Sequence, residues 1–148
     1  MSQTAKNGCI AIAVSTYNSN ITRRLLDAAK STLTEAGFAR RILVAEVPGA
    51  WELALAARKF ASQPNVLGVL ALGAVIRGET THDVHINRAV STALMQLMME
   101  SGKPIGFGLL TCNTMEQAIH RAGGNVGNKG CETAEAVLGM LNLKIETA

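Results

Sequence analysis

His82 is the side chain best suited to proton transfer near neutral pH, because an unperturbed imidazole titrates at about 6.5. It is the next-to-last residue of the stretch Leu72–Asp83, LGAVIRGETTHD, in which Gly78, Glu79, Thr80 and Thr81 precede a long apolar-periodic segment. A glycine-bounded loop that opens a helix presents free backbone N–H groups, which favour a phosphate or carboxylate. The same residues would also serve as a plain helix cap. Two other groups could join them: the aromatic face of Tyr17 and the carboxylate of Glu52 beside the tight Pro48-Gly49 turn. His82 and His85, at i, i+3, could form half of a metal site with Asp83 as a third ligand. No cysteine cluster completes it. Gly106-x-Gly108 lies inside a strand-like run rather than opening a helix, and no phosphate-binding loop with Lys-Ser/Thr is present, so no nucleotide cofactor is expected.

The last third holds a second polar group. Arg121 ends a short helix, where a cation complements the dipole. Lys129 opens the final helix together with Glu132, and a cation there has the wrong sign. An anionic ligand would offset it. From the residues alone the reading is a small-molecule α/β enzyme that takes an anionic substrate.

Periodicity supplies the elements that must position these groups. Cys9–Ser15 (CIAIAVS) reads as a buried strand, followed by a helix with Ile21, Leu25, Leu26, Ala29 and Leu33 on one face and Gly37 at its end. Arg41–Val47 is a second strand, broken by Pro48-Gly49. A helix over Trp51–Gln63 ends at Pro64-Asn65, and Val66–Leu72 is a third strand. The long helix starts between Thr81 and Val84. Its stripe of Ile86, Ala89, Val90, Ala93, Leu94, Leu97 and Met98 is widened by Met95 and Met99, as in a core helix or one also packed on a neighbouring subunit. Ile105–Thr111 is a fourth strand. Thr114 and Gln117 have capping-box spacing for a short helix, and Asn128 can cap a last one bearing Ala134, Val137, Leu138 and Leu141. Strands alternating with helices imply a four-stranded parallel sheet covered by helices on both faces, with right-handed crossovers. Ligands in such sheets bind at the carboxyl ends of the strands. There the Thr16–Asn18, Pro48–Glu52, Ala74–Asp83 and Cys112–Asn113 loops must gather.

Composition sets the remaining bounds. The chain has 148 residues, 48% of them hydrophobic and 17% charged, which fits one folded domain rather than disorder. We expect residues 1–8 to be a flexible segment and 9–148 to be a single domain. The net charge is +3 and aromatics are 3%, which leaves no basic, aromatic-studded surface for nucleic acid. The three cysteines are widely spaced, as in reduced thiols of a cytoplasmic protein. The polar start and the short apolar run after it match neither a signal peptide nor a membrane span.

Four segments, in order, resemble the lumazine synthases, which catalyse the penultimate step of riboflavin biosynthesis. They are Val47-Pro48-Gly49-Ala50-Trp51-Glu52; Leu72 to His82; Phe107 to Thr111 with Thr114 and Glu116-Gln117-Ala118; and Arg121-Ala122-Gly123 with Gly127-Asn128-Lys129-Gly130. The resemblance covers Cys9 to Leu143. It implies a flavodoxin-like three-layer sandwich. It also implies condensation of 5-amino-6-ribitylaminouracil with 3,4-dihydroxy-2-butanone 4-phosphate, without metal or redox cofactor. By the same resemblance Tyr17 stacks on the pyrimidine with Asn18 beside it, and Ala50, Trp51 and Glu52 line the ribityl pocket. Ala74, Val75 and Ile76 flank the ring. Glu79 and Thr80 belong to the phosphate-side loop, and His82 moves the proton. Arg121 binds the phosphate, while Phe107, Lys129 and Glu132 close the site from an adjacent subunit. The family forms pentamers, and many members close twelve pentamers into a shell; the short Gly124-Asn125-Val126 connection is like that of the shell formers. Riboflavin synthase is a further partner the family suggests. The chain departs from the usual pattern after the histidine, where Asp83-Val84 replaces an aromatic followed by an acid, and His85 stands where tyrosine is common. A paralogue that binds flavin-like ligands or builds a shell without turnover is the alternative reading.

Overall fold

The computed structural model describes residues 7–148; residues 1–6, most of the segment expected to be flexible, lie outside the described residues. The chain runs β1 (Cys9–Ser15), α1 (Ser19–Leu33), β2 (Ile42–Val47), α2 (Leu53–Ala61), β3 (Val66–Ile76), α3 (His82–Ser101), β4 (Ile105–Cys112), α4 (Met115–Arg121), β5 (Ala122–Gly124), β6 (Gly127–Asn128) and α5 (Lys129–Leu141). A single 3-10 turn, Ala50–Glu52, leads into α2. β1 to β4 form a four-stranded sheet in the order β2-β1-β3-β4, with every pairing parallel. The α/β sandwich expected from the alternation of elements is therefore present.

Side-chain alternation along β1 builds a core on each face of the sheet. Ile10, Ile12 and Val14 meet Ile21, Leu25 and Leu33 of α1 and Ala134 and Val137 of α5. Ala11 and Ala13 meet Leu53 and Ala57 of α2 and Val90 and Leu94 of α3. Small alanines on that second face let α2 and α3 lie close to the strands. Where α1 and α5 pack together, Gly130 is buried. A Cβ there would overlap the Leu25 carbonyl oxygen and lie 2.7 Å from its carbon. The helices approach closely only because that methyl is absent.

Several element ends differ from the periodicity reading. α1 stops at Leu33, and a wider turn, Thr34–Phe38, carries Gly37 at φ +97°, a left-handed conformation that suits glycine. β3 continues four residues past Leu72, to Ile76, because β4 pairs along it as far as Ile76 opposite Cys112. The stretch Gly123–Gly127, read as a plain connection, folds into the antiparallel β5–β6 hairpin with Gly123 and Gly127 at positive φ. Capping followed expectation in part. Asn128 Oδ1 accepts from the Gly130 and Cys131 N–H groups, at 2.8 and 3.3 Å. Thr114 Oγ1 accepts from Gln117 N–H, but the Gln117 side chain reaches back one residue further, accepting from Asn113 N–H at 2.8 Å. Along α3, Val90 and Leu94 are buried, whereas Met95 and Met99 are exposed at 56% and 75%. Among the described residues no helix is long and apolar enough to cross a membrane.

Gly130→Ala tests the α1–α5 approach. The added methyl meets backbone rather than a movable side chain, so the variant should lose about 2–3 kcal/mol of stability, the upper range for overpacking. Thermal unfolding would show this; an unchanged midpoint would mean that the helices can separate at little cost.

Candidate active site

The carboxyl ends of β1, β2 and β3 converge on a cavity of about 380 Å³. Its first wall is set by the backbone after β1. Thr16 N–H donates to the Val47 carbonyl at 2.8 Å and Tyr17 N–H to the Pro48 carbonyl at 3.1 Å, which fixes the Tyr17 loop against the Pro48-Gly49 turn. Asn18 then adopts φ 59°, ψ 48°, the left-handed region that asparagine tolerates better than most residues. Its carbonyl accepts from the Ile21 and Thr22 N–H groups and so starts α1, while its Nδ2 donates to the Ala74 carbonyl at 2.9 Å. This one side chain ties the Tyr17 loop to the end of β3. The Tyr17 ring itself is 73% exposed and lines the cavity.

The second wall is the Gly49–Glu52 turn. Glu52 Oε2 accepts from Gly49 N–H at 3.1 Å, closing the turn on itself. Ala50 and Trp51 line the cavity; Glu52, next in the chain, does not, and one of its oxygens is committed to the turn. The third wall is the extension of β3. Ala74, Val75 and Ile76 are strand residues, not loop residues as the Ala74–Asp83 reading had them, and all three line the cavity. Arg77 N–H donates to the Cys112 carbonyl at 2.8 Å, prolonging the ladder by one residue.

The floor of the loop is the start of α3. Gly78, Thr80, His82 and Asp83 line the cavity, with Ile86 one turn further on. Thr80 Oγ1 accepts from His82 N–H at 3.4 Å, and Thr81 Oγ1 lies 3.5 Å from His85 Nε2. His85 thus turns back to the cap, and the cavity receives His82. Among the described residues no group of three His, Cys, Asp or Glu side chains could hold a metal, so His82, Asp83 and His85 do not make the metal site their spacing allowed. Asn18 and Glu79 do not line the cavity, and Glu79 is exposed in the loop. Ile86 was not chosen as a site residue on sequence grounds, Gly49 was read only as part of a tight turn, and Asp83 was considered only as a metal ligand. Ile86 had a signal, since a residue four after His82 shares its helix face.

Phe107, Arg121, Lys129 and Glu132 lie away from this cavity. Phe107 is 39% exposed on β4, an edge strand of the sheet. Arg121 is exposed at the end of α4, close enough to Cys112 for its charge to be felt by the thiol. Burial pushes that thiol up, Arg121 partly opposes the shift, and Cys112 remains a neutral thiol rather than a nucleophile at neutral pH. Lys129 and Glu132 occupy the first turn of α5.

The family model for 6,7-dimethyl-8-ribityllumazine synthase matches residues 7–145. A protein of that name from Rhodopirellula baltica is 52% identical over 139 residues, covering 93% of this chain and 90% of its own length. The namesake from Thermus thermophilus is 45% identical over 141 residues, at 95% and 90% coverage, and that from Pediococcus pentosaceus is 42% identical over 136 residues, at 91% and 87%. The chain belongs to the lumazine synthase family. The resemblance read from the four motif segments therefore holds over almost the full length. Two of those motifs, around Ala50-Trp51 and around Ala74 to His82, meet at the cavity, and Phe107 and Arg121 of the other two do not line it.

The Asn18 brace has a direct test. Asn18→Ala loses both the bond to Ala74 and the side chain's tolerance of the left-handed backbone, and should cost about 1–3 kcal/mol. Asn18→Gly restores the backbone freedom but not the bond, so its thermal midpoint should fall between wild type and Asn18→Ala. Equal midpoints for the two variants would remove the strained backbone from the explanation.

Proposed function

We propose that this chain is a working 6,7-dimethyl-8-ribityllumazine synthase of riboflavin biosynthesis. It condenses 5-amino-6-ribitylaminouracil with 3,4-dihydroxy-2-butanone 4-phosphate and releases phosphate and water. The observation that carries this reading is the convergence of Tyr17, Trp51, Ala74–Ile76 and His82 on one cavity at the carboxyl edge of a parallel sheet. The amine attacks the ketone and loses water to form a Schiff base, phosphate is eliminated, and the ribityl-bearing nitrogen closes the ring with loss of a second water. Every step is a proton transfer coupled to bond making or breaking at carbon. Positioning plus one acid–base group near neutral pH is sufficient for such chemistry.

In this reading the ring of Tyr17 stacks on the pyrimidine, and Ala74, Val75 and Ile76 flank it. Ala50, Trp51 and Glu52 receive the ribityl chain, with the free oxygen of Glu52 available to its hydroxyls. Asn18 supports Tyr17 from outside the cavity. Thr80 and Glu79 belong to the loop on the phosphate side, where the backbone before α3 supplies N–H donors. His82 carries the proton. Arg121 neutralises the phosphate, and Phe107, Lys129 and Glu132 complete the enclosure.

That second set lies outside the cavity of one protomer, so the proposal includes assembly. An adjacent copy supplies Phe107, Arg121, Lys129 and Glu132, and the active unit is a homo-oligomer. The exposed methionines of α3 support subunit burial. We propose a pentamer at least. The short turn between β5 and β6 favours further closure into a twelve-pentamer shell, in which riboflavin synthase is a candidate partner. A cytoplasmic location fits the three unpaired cysteines.

Mixing both substrates with purified protein should produce the fluorescent lumazine. His82→Ala should slow that turnover by about 10²–10⁴-fold, the usual contribution of a general acid–base. A variant with full rate would withdraw the role from His82 and point to His85. Arg121→Ala should raise KM for the phosphorylated substrate by about 10- to 100-fold, the value of a charge-assisted hydrogen bond. Light scattering should report an oligomer, and an active monomer would refute the shared site.

A further inference from the structure

Asp83 is the charged side chain that the fold buries among the described residues, at 7% exposure. It belongs to the inward stripe of α3 that continues through Val90 and Leu94. Its Oδ1 is buried and has no hydrogen-bond partner. A carboxylate in the first turn of a helix gains from the dipole, but its lone pairs still require donors. The neighbouring imidazoles do not supply one. His82 is adjacent in sequence, and adjacent helical side chains diverge instead of facing each other; the His85 ring is turned to Thr81. What Asp83 does border is the cavity, beside the apolar Ala50, Val75, Ile76 and Ile86. Rotation about its terminal torsion is broad and two-fold, so either oxygen can be presented to a bound molecule.

We infer that Asp83 is a specificity and positioning residue that accepts a hydrogen bond from the donor-rich substrate. This rests on the function proposed above. Of the two substrates, the ribitylamino-pyrimidine carries amine, ring N–H and hydroxyl donors, whereas the butanone brings a phosphate dianion. A buried carboxylate attracts the first and repels the second. Asp83 therefore holds the pyrimidine along the inner face of α3 and turns the phosphate toward the Gly78–Thr81 loop.

The test uses the assembled full-length protein, as wild type, Asp83→Leu and Asp83→Asn. Each substrate is varied in turn, equilibrium binding of the ribitylamino-pyrimidine alone is measured, and thermal unfolding is followed without ligand. Asp83→Leu should raise both KM and Kd for the pyrimidine by about 10- to 100-fold, the value of a hydrogen bond to a charged group. KM for the butanone phosphate should stay the same or fall, and kcat should change by less than about threefold, since an interaction common to ground and transition states is lost. Asp83→Asn, which keeps an acceptor oxygen, should recover part of the affinity. The unliganded midpoint of Asp83→Leu should be unchanged or higher, because a carboxylate without a donor has been removed. An unchanged pyrimidine Kd in Asp83→Leu would overturn the inference while leaving wild-type turnover, and so the assigned function, intact. So would a parallel rise in both KM values, or a lowered midpoint with no rescue by Asn. A wild-type protein that neither binds the pyrimidine nor turns over would overturn both.

Discussion

The parallel pairing of β3 with both β1 and β4 is the constraint on which the rest of this structure depends. β3 is the longest strand, with eleven residues, and it stands between the two core-building neighbours. Its pairing with β1 reaches Leu72 opposite Val14, and its pairing with β4 continues to Ile76 opposite Cys112. The strand therefore projects beyond β1. The four residues that project have a hydrogen-bonded partner on the β4 side and an open side toward Tyr17. Asn18 fills that open side by donating to Ala74, and the cavity begins where that bond ends. A shorter β3 would leave no wall between the Tyr17 loop and the start of α3.

The same register explains which parts of the fold were legible in the sequence. Every strand and helix of the main alternation was visible, because each carries a strong apolar period and an identifiable stop such as Gly37, Pro48-Gly49 or Gly102-x-Pro104. The projecting end of β3 was not. Gly73-Ala74 looks like the start of a turn, since small residues break strands when they are exposed. Here Ala74 is buried at 3% exposure, and Gly73 faces Ser15, Leu53 and Leu109 at distances a Cβ would fill closely. Tertiary pairing with β4 overrode local propensity. The β5–β6 hairpin was missed for the opposite reason. Apart from Ala122 and Val126 its residues are glycine and asparagine, which carry no period, and its pairing is visible only in three dimensions.

The site was legible to a different degree. Charge and aromatic type drew attention to Tyr17, Glu52 and His82, and two of these, Tyr17 and His82, line one cavity. The apolar liners Ala74, Val75 and Ile76 came from resemblance, because nothing in their chemistry distinguishes them from core. Asp83 was noticed as a departure from the family's usual residue, and its orientation had no sequence signal. A carboxylate at the second position of a helix is ordinarily solvated and serves the dipole. Only the rotation of α3 about its axis, fixed by Val90 and Leu94 against the sheet, turns that position inward.

That rotation also divides labour along α3. The stripe that starts at Asp83 faces the sheet, while Met95 and Met99 stand exposed. Burying a methionine or aromatic side chain is worth about 1.5–3 kcal/mol. Together with Tyr17, Trp51 and Phe107, these side chains are part of the apolar surface that the chain leaves to water. Tyr17 and Trp51 flank the cavity, where a flat ligand can cover them. The methionines and Phe107 do not line it, and in the proposed assembly a second copy covers them. The cations Arg121 and Lys129 belong with that second group. In the proposed site they supply the positive charge that the cavity's own lining, with Asp83 as its carboxylate, does not. In the proposed assembly, covering that apolar surface by a second copy and supplying positive charge to the phosphate are one event, so the proposed chemistry carries assembly as one of its conditions.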